Sequence, residues 1–200
     1  MIRILKHLRG LVRNQRGVAA IEFAIGGPVF ILALLGFFDF SWQIYAKAVL
    51  EGAVAQAARN STLERFIEDP SSLDQRVKDQ VLNVMKNANV QFSRAAFDSY
   101  EQIGKPEAFT DAGSKNGRYD KGECFEDLNG NGVWDSVSSG RTGNGAADDI
   151  VLYTAEMEYQ RVMPVWRLLN QPQTVKLSAS TILRNQPYTM GQSLHTVVCT

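Results

Sequence analysis

The sequence predicts an α+β protein: a long N-terminal helix, part transmembrane and part amphipathic, packed on a small antiparallel sheet, with a polar loop inserted. Three observations predict it. Residues 17–38, GVAAIEFAIGGPVFILALLGFF, are an apolar run long enough to cross a bilayer. The chain continues without proline through WQIYAKAVLEGAVAQAARN, where Val49/Leu50, Ala53/Val54 and Ala57/Ala58 recur at helical steps of three and four. Farther on, residues 150–163 and 174–184 alternate apolar and polar side chains with the period of a half-buried strand.

The first 16 residues hold Arg3, Lys6, Arg9, Arg13 and Arg16, and no acid precedes Glu22. Cations on one flank of about 20 apolar residues predict a membrane helix whose N-terminus stays cytoplasmic. Glu22 is the odd residue. A charged side chain in hydrocarbon costs about 2.5–3.5 kcal/mol on insertion scales, so it needs either a counter-charge or a reach to water near the membrane surface. Pro28 removes one backbone hydrogen bond and favours a kink that membrane helices tolerate. Ala19, Ala20, Ala24, Gly26 and Gly27 would let a second helix approach closely. Past Asp39, Trp42 suits the interface where aromatics collect, and one helix over 18–60 is the simplest reading.

Asp69-Pro70-Ser71-Ser72 opens a second helix over about 72–88, with Ser72 and Gln75 fitting a capping box. Leu73, Val77, Val81, Val84, Met85 and Ala88 form its apolar stripe and predict a core face. Residues 90–97 suit a strand. In 150–163 the inward set is Val151, Tyr153, Ala155, Met157 and Tyr159; in 174–184 it is Val175, Leu177, Ala179, Thr181 and Leu183. An antiparallel sheet laid on the amphipathic helix buries both faces.

The basic leader, Gly17, Glu22 five residues later and Phe23 resemble the processing site of type IV pilin-like proteins. More narrowly, R-G-V-A-A-I-E-F before an apolar helix with Pro28 resembles the TadE and TadF pseudopilins of the tight-adherence (Flp) pilus, and Arg184-Asn185-Gln186-Pro187 resembles an R-N-[EQ]-P segment of that family. The resemblance spans roughly residues 13–60. It implies a pilin-like fold and cleavage by a prepilin peptidase between Gly17 and Val18. It also implies that Glu22, the fifth mature residue, pairs with the new Val18 amine of a neighbouring subunit. The domains are then a cytoplasmic leader over 1–17, a transmembrane helix over 18–38 and an extracytoplasmic domain over 39–200. Partners would be other pilins or pseudopilins and the inner-membrane pilus platform. The size suggests a minor subunit. The alternative is a signal-anchored or secreted calcium-binding or adhesion module without a pilus role, for which Ala46-Lys47-Ala48 supplies an A-x-A cleavage pattern.

The polar loop, 111–149, carries eight acidic and four basic residues and half of the chain's 16 glycines. A structureless loop this long is functional or disordered. Inside it, Asp127, Asn129, Asn131, the Val133 carbonyl and Asp135 follow the spacing of a calcium loop, in which alternate oxygens converge on one cation and Gly132 allows the turn. Position twelve is Ser138 where a bidentate Glu is expected, so Asp120 or Glu123 would have to complete a weak Ca2+ site. A metal-free Asn/Gly turn explains the same residues.

Cys124 and Cys199 are either two unrelated thiols or a disulfide closing a loop of about 75 residues. C-x-x-C is absent and only His7 and His195 are present, which argues against zinc. With 21 basic and 21 acidic residues and the basic excess confined to the leader, no nucleic-acid-binding face is expected. G-x-S-x-G, H-E-x-x-H and G-K-[ST] are absent, and the adjacent Asp148 and Asp149 read as solvated or metal-bound, so no enzymatic role is expected.

Overall fold

The structure, a computed structural model, describes residues 17–60, 70–112, 115–185 and 196–199. The expected leader, with its five cations, lies outside the described residues apart from Gly17. So do His7, His195 and Gln186-Pro187 of the R-N-Q-P segment.

Helix α1 runs Val18–Asn60 and stays helical through Pro28. Helix α2 is Pro70–Val84, and a short α3 is Val165–Leu168. The strands are β1 (Asn89–Phe97), β2 (Cys124–Asp127), β3 (Arg141–Thr142), β4 (Ile150–Gln160), β5 (Thr174–Arg184) and β6 (Thr196–Cys199). The chain divides into two units. One joins the described part of residues 1–44 to Arg161–Gln173, and the other holds Tyr45–Gln160 and Thr174–Thr200.

In the second unit, β3-β1-β4-β5 form one antiparallel sheet, and β2 pairs with β6 in a two-stranded sheet. β4 is central. It meets β1 from Asn89↔Glu158 to Phe97↔Ile150, and β5 from Ile150↔Arg184 to Gln160↔Thr174. This register puts Val151, Tyr153, Ala155, Met157 and Tyr159 on one face, all buried. Against that face pack Ala46, Leu50, Ala53, Val54 and Ala57 of α1 with Leu73, Val77, Val81 and Met85 of the α2 region. Period 2 on the sheet and period 3.6 on the helices thus produce one shared core.

Three expectations are corrected. Helix α2 begins at Pro70, a residue suited to the first turn because its missing N–H has no partner there. Ser72 therefore lies inside the helix rather than capping it, and Gln75 donates its side-chain amide to Asp79. The helix also stops at Val84, because Asn87 favours the turn at 86–87, while Met85 and Ala88 still pack on the core. The strand expected over 150–163 ends at Gln160, and the chain turns at Arg161, whose backbone N–H bonds to the Gln173 carbonyl.

Asp74 on α2 accepts hydrogen bonds from Arg94 of β1 at 2.6 Å and from the Tyr153 hydroxyl of β4 at 2.8 Å. The Arg94 guanidinium lies 5.0 Å from the Tyr153 ring centre, and Phe92 stacks on the same ring at 5.9 Å. Burial, aided by the bond to Asp74, pushes the Tyr153 phenol well above its usual range. Tyr153→Phe is expected to cost about 1–2 kcal/mol, because a part-buried bond to a carboxylate is lost. Urea unfolding checks this, and an unchanged midpoint would remove the clamp from the account.

Candidate functional site

The first candidate site is the start of α1. The Gly17 carbonyl accepts the Ile21 N–H at 3.1 Å, so the helix begins at Val18, directly after the glycine. Val18 and Glu22 stand one helical turn apart on the same face. Val18, Glu22 and Phe23 are all exposed, and Phe23 lays its ring over Gly27. No hydrogen bond or ion pair engages Glu22 among the described residues. Ile21, Ile25, Val29, Phe30, Phe37 and Phe38 are exposed too, so this half of α1 is wrapped in apolar side chains that the described chain leaves mostly uncovered. The helix has the length and composition to cross a membrane.

Asp39, the first charge beyond the apolar run, is engaged. It accepts hydrogen bonds from Gln43 at 2.9 Å and from the Arg161 guanidinium, with which it forms an ion pair. Arg161 also donates to the Pro172 carbonyl. The segment 161–173 is thereby closed on itself and fastened to α1. No periodic pattern links residues 39 and 161, so the sequence held no signal for this pair.

The second candidate is the polar region, and it is not structureless as expected. Residues 105–110 lie between two backbone partners. On one side the Thr110 and Glu126 N–H groups reach Cys124 and Ala108 carbonyls; on the other, Glu107 and Ser138 N–H groups reach Asp135 and Lys105. Phe109, Tyr119, Phe125 and Trp134 pack together, with Tyr119 stacked on Trp134 at 4.8 Å and the other contacts edge to face. Glu107, only 1% exposed, binds the Leu128 and Asp135 N–H groups through its two carboxylate oxygens, and its carbonyl accepts the Trp134 indole N–H. Burial raises the Glu107 carboxyl above its usual range, against the pull of those two N–H bonds, and Asp135 and Asp127 add to the rise.

The residues of the expected calcium loop form stacked turns. Asp127 accepts the N–H groups of Gly130, Asn131 and Gly132. The Asn129 and Asn131 side-chain oxygens accept the N–H groups of Asn131 and Val133. Their amide nitrogens both donate to Asp135 Oδ2, at 2.6 and 3.0 Å. Glu123 is buried and binds the Ala112 and Asp120 N–H groups, while Asp120 accepts from Asn116. Among the described residues no three His, Cys, Asp or Glu converge as a metal-holding group.

Asp148 and Asp149 separate in role. Asp149 is buried and shares the Arg141 guanidinium with Asp98, at 3.0 and 2.7 Å, while exposed Asp148 faces Arg184. Asn185 donates its side-chain amide to the Asn144 and Ala146 carbonyls and its backbone N–H to Asp149, so the R-N pair seams β5 to the 144–149 turn. Two glycines fit this seam tightly. A Cβ on Gly140 would stand 2.7 Å from Phe97 and 2.9 Å from the Ala96 carbonyl, and one on Gly145 would stand 2.8 Å from Ala96 Cβ, both at positive φ. Cys124 and Cys199, directly opposite each other on β2 and β6, form a disulfide.

These features define a class: a protein whose membrane-length apolar helix continues unbroken into an α+β unit. Residues 17–59 match the family model of the TadE-like proteins, a stretch that coincides with α1. In that stretch the chain is similar to TadE-like proteins, which supports a protein associated with the tight-adherence pilus. No curated protein and no solved structure matches the chain.

The disulfide spans 75 residues. Replacing Cys124 and Cys199 together by Ser is expected to cost on the order of 4 kcal/mol through the freed unfolded chain. Denaturation with and without a reductant checks this. Equal midpoints for the oxidised and reduced protein would contradict it.

Proposed function

We propose that the protein is a minor pseudopilin of a tight-adherence pilus, with a structural rather than a catalytic role. A prepilin peptidase cuts the leader after Gly17 on the cytoplasmic face of the inner membrane, leaving the C-terminal domain in the periplasm. Val18 then carries an amine, and Glu22 pairs with the amine of a neighbouring subunit, which neutralises two charges in the apolar phase and sets the register between helices. The small residues of 19–27 let those helices approach. The observation that carries this reading is that the TadE-like match begins at Gly17, directly before the first residue of α1, with Glu22 exposed one turn into the helix. A secretory cut before Val49 fits less well. Ala46 lies in the middle of α1 and is fully buried in the core, so that cut would divide the helix inside its packed half.

Mass spectrometry of the mature chain is expected to find Val18 at the N-terminus. Met1 or Val49 would overturn the pseudopilin reading. Glu22→Ala is expected to leave membrane insertion intact and to abolish incorporation into sheared surface pili, and unimpaired incorporation would remove the role given to the acid.

Calcium at the 127–135 turns is a second proposal, supported by the D-x-N-x-N-G-x-x-D spacing of Asp127, Asn129, Asn131 and Asp135. The Asn129 and Asn131 amide nitrogens now face Asp135, so an ion would have to turn those amides over. With two carboxylates the affinity expected is weak, about 10⁻⁴–10⁻³ M. Millimolar Ca2+ is expected to raise the Tm of the wild-type protein and to leave Asp135→Asn unshifted. Equal shifts in both would place the ion elsewhere.

A further inference from the structure

We propose that the segment Arg161–Gln173 is an interfacial foot. It would seat its outer side chains in the headgroup and upper acyl region of the bilayer that α1 crosses, on the side where Asp39 emerges. The proposal rests on the membrane-anchor reading of α1.

From Val18 to Phe38 the helix rises about 30 Å at 1.5 Å per residue, the thickness of a hydrocarbon core. Asp39 therefore marks the far boundary of that core, and it holds Arg161 in an ion pair. Because Arg161 also closes the segment through the Pro172 and Gln173 carbonyls, both ends of 161–173 are held at the level of Asp39.

The composition of the segment suits that level. RVMPVWRLLNQPQ contains two arginines and no acid. Arg161 is neutralised by Asp39, which leaves Arg167 as its net charge. Val162, Leu168 and Leu169 are 71%, 69% and 62% exposed, a density of bare large apolar side chains that water disfavours. The Arg167 guanidinium lies 5.0 Å from the Trp166 ring centre. A cation over an indole beside leucines is the chemistry of an interfacial anchor: the ring and the leucines enter the acyl boundary while the guanidinium meets phosphate. The same boundary on α1 carries exposed Phe37, Phe38 and Phe40, so the foot would extend an aromatic and apolar band that the helix has already begun.

The occupant is therefore a phospholipid surface. Anionic and zwitterionic headgroups share the phosphate that Arg167 would meet, and an arm of the test separates them.

The full chain is reconstituted into phosphatidylcholine vesicles, with and without phosphatidylglycerol. Subtracting Trp166→Phe emission from wild type isolates Trp166, because Trp42 and Trp134 are common to both. The Trp166 component is expected to be blue-shifted and quenched by lipids brominated near the glycerol end of the chain, more than by lipids brominated near the methyl end. The exposed double variant Leu168→Ser/Leu169→Ser is expected to lose this quenching while still floating with the vesicles. Stronger quenching with phosphatidylglycerol that Arg167→Gln abolishes assigns the headgroup preference to that arginine; equal quenching in both vesicles assigns the contact to the shared phosphate. An unquenched Trp166 in a chain that floats overturns the foot and leaves the anchor standing. Quenching lost as the protein-to-lipid ratio rises identifies a second copy as the occupant and also overturns it. A chain that fails to float overturns the anchor and the foot together.

Discussion

One helix serves two solvents. Up to about Phe38 the surface of α1 is mostly exposed and, Glu22 apart, apolar, which only lipid or other apolar helices can satisfy. From Ala46 onward one stripe is fully buried against the sheet, and Lys47, Glu51 and Gln56 face outward. Without its second half, the inward face of β4 would lose Leu50 and Val54 as cover, and the sheet would expose its core.

The polar region is stabilised by a different economy. Its buried acids, Glu107, Glu123, Asp127 and Asp149, are not arranged around a common point. Glu107, Glu123 and Asp127 accept backbone N–H groups that the irregular chain would otherwise leave unpaired, and Asp149 does so while binding Arg141. Irregular backbone can be buried only when such partners exist. A small aromatic cluster and the Cys124–Cys199 bond then supply what a short two-stranded sheet lacks.

What the sequence made legible were the parts with a period. The bounds of α1, the stripe of α2, and the inward sets of β4 and β5 follow from apolar spacing alone, because each is a regular element with one buried side. The start of α1 at Val18 was legible too, directly after the glycine that closes the basic stretch. The polar region was not, since carboxylates that cap backbone groups look in sequence like carboxylates in water. Nor was the end of β4 at Gln160. Val162 and Met163 are apolar enough to read as more strand, but Arg161 breaks the alternation between them and Tyr159, and it is drawn to a carboxylate 122 positions earlier in the chain. Pairings of that range leave no local trace.

The seam at Gly140 and Gly145 has a consequence for how such a chain can diversify. The backbone of the polar region is held largely from within, by Glu107, Glu123, Asp127 and Asp149. At those two glycines even one methyl group would meet the Ala96 carbonyl or its Cβ. New outward-facing chemistry grafted onto this protein must at the least leave those two α-carbons bare.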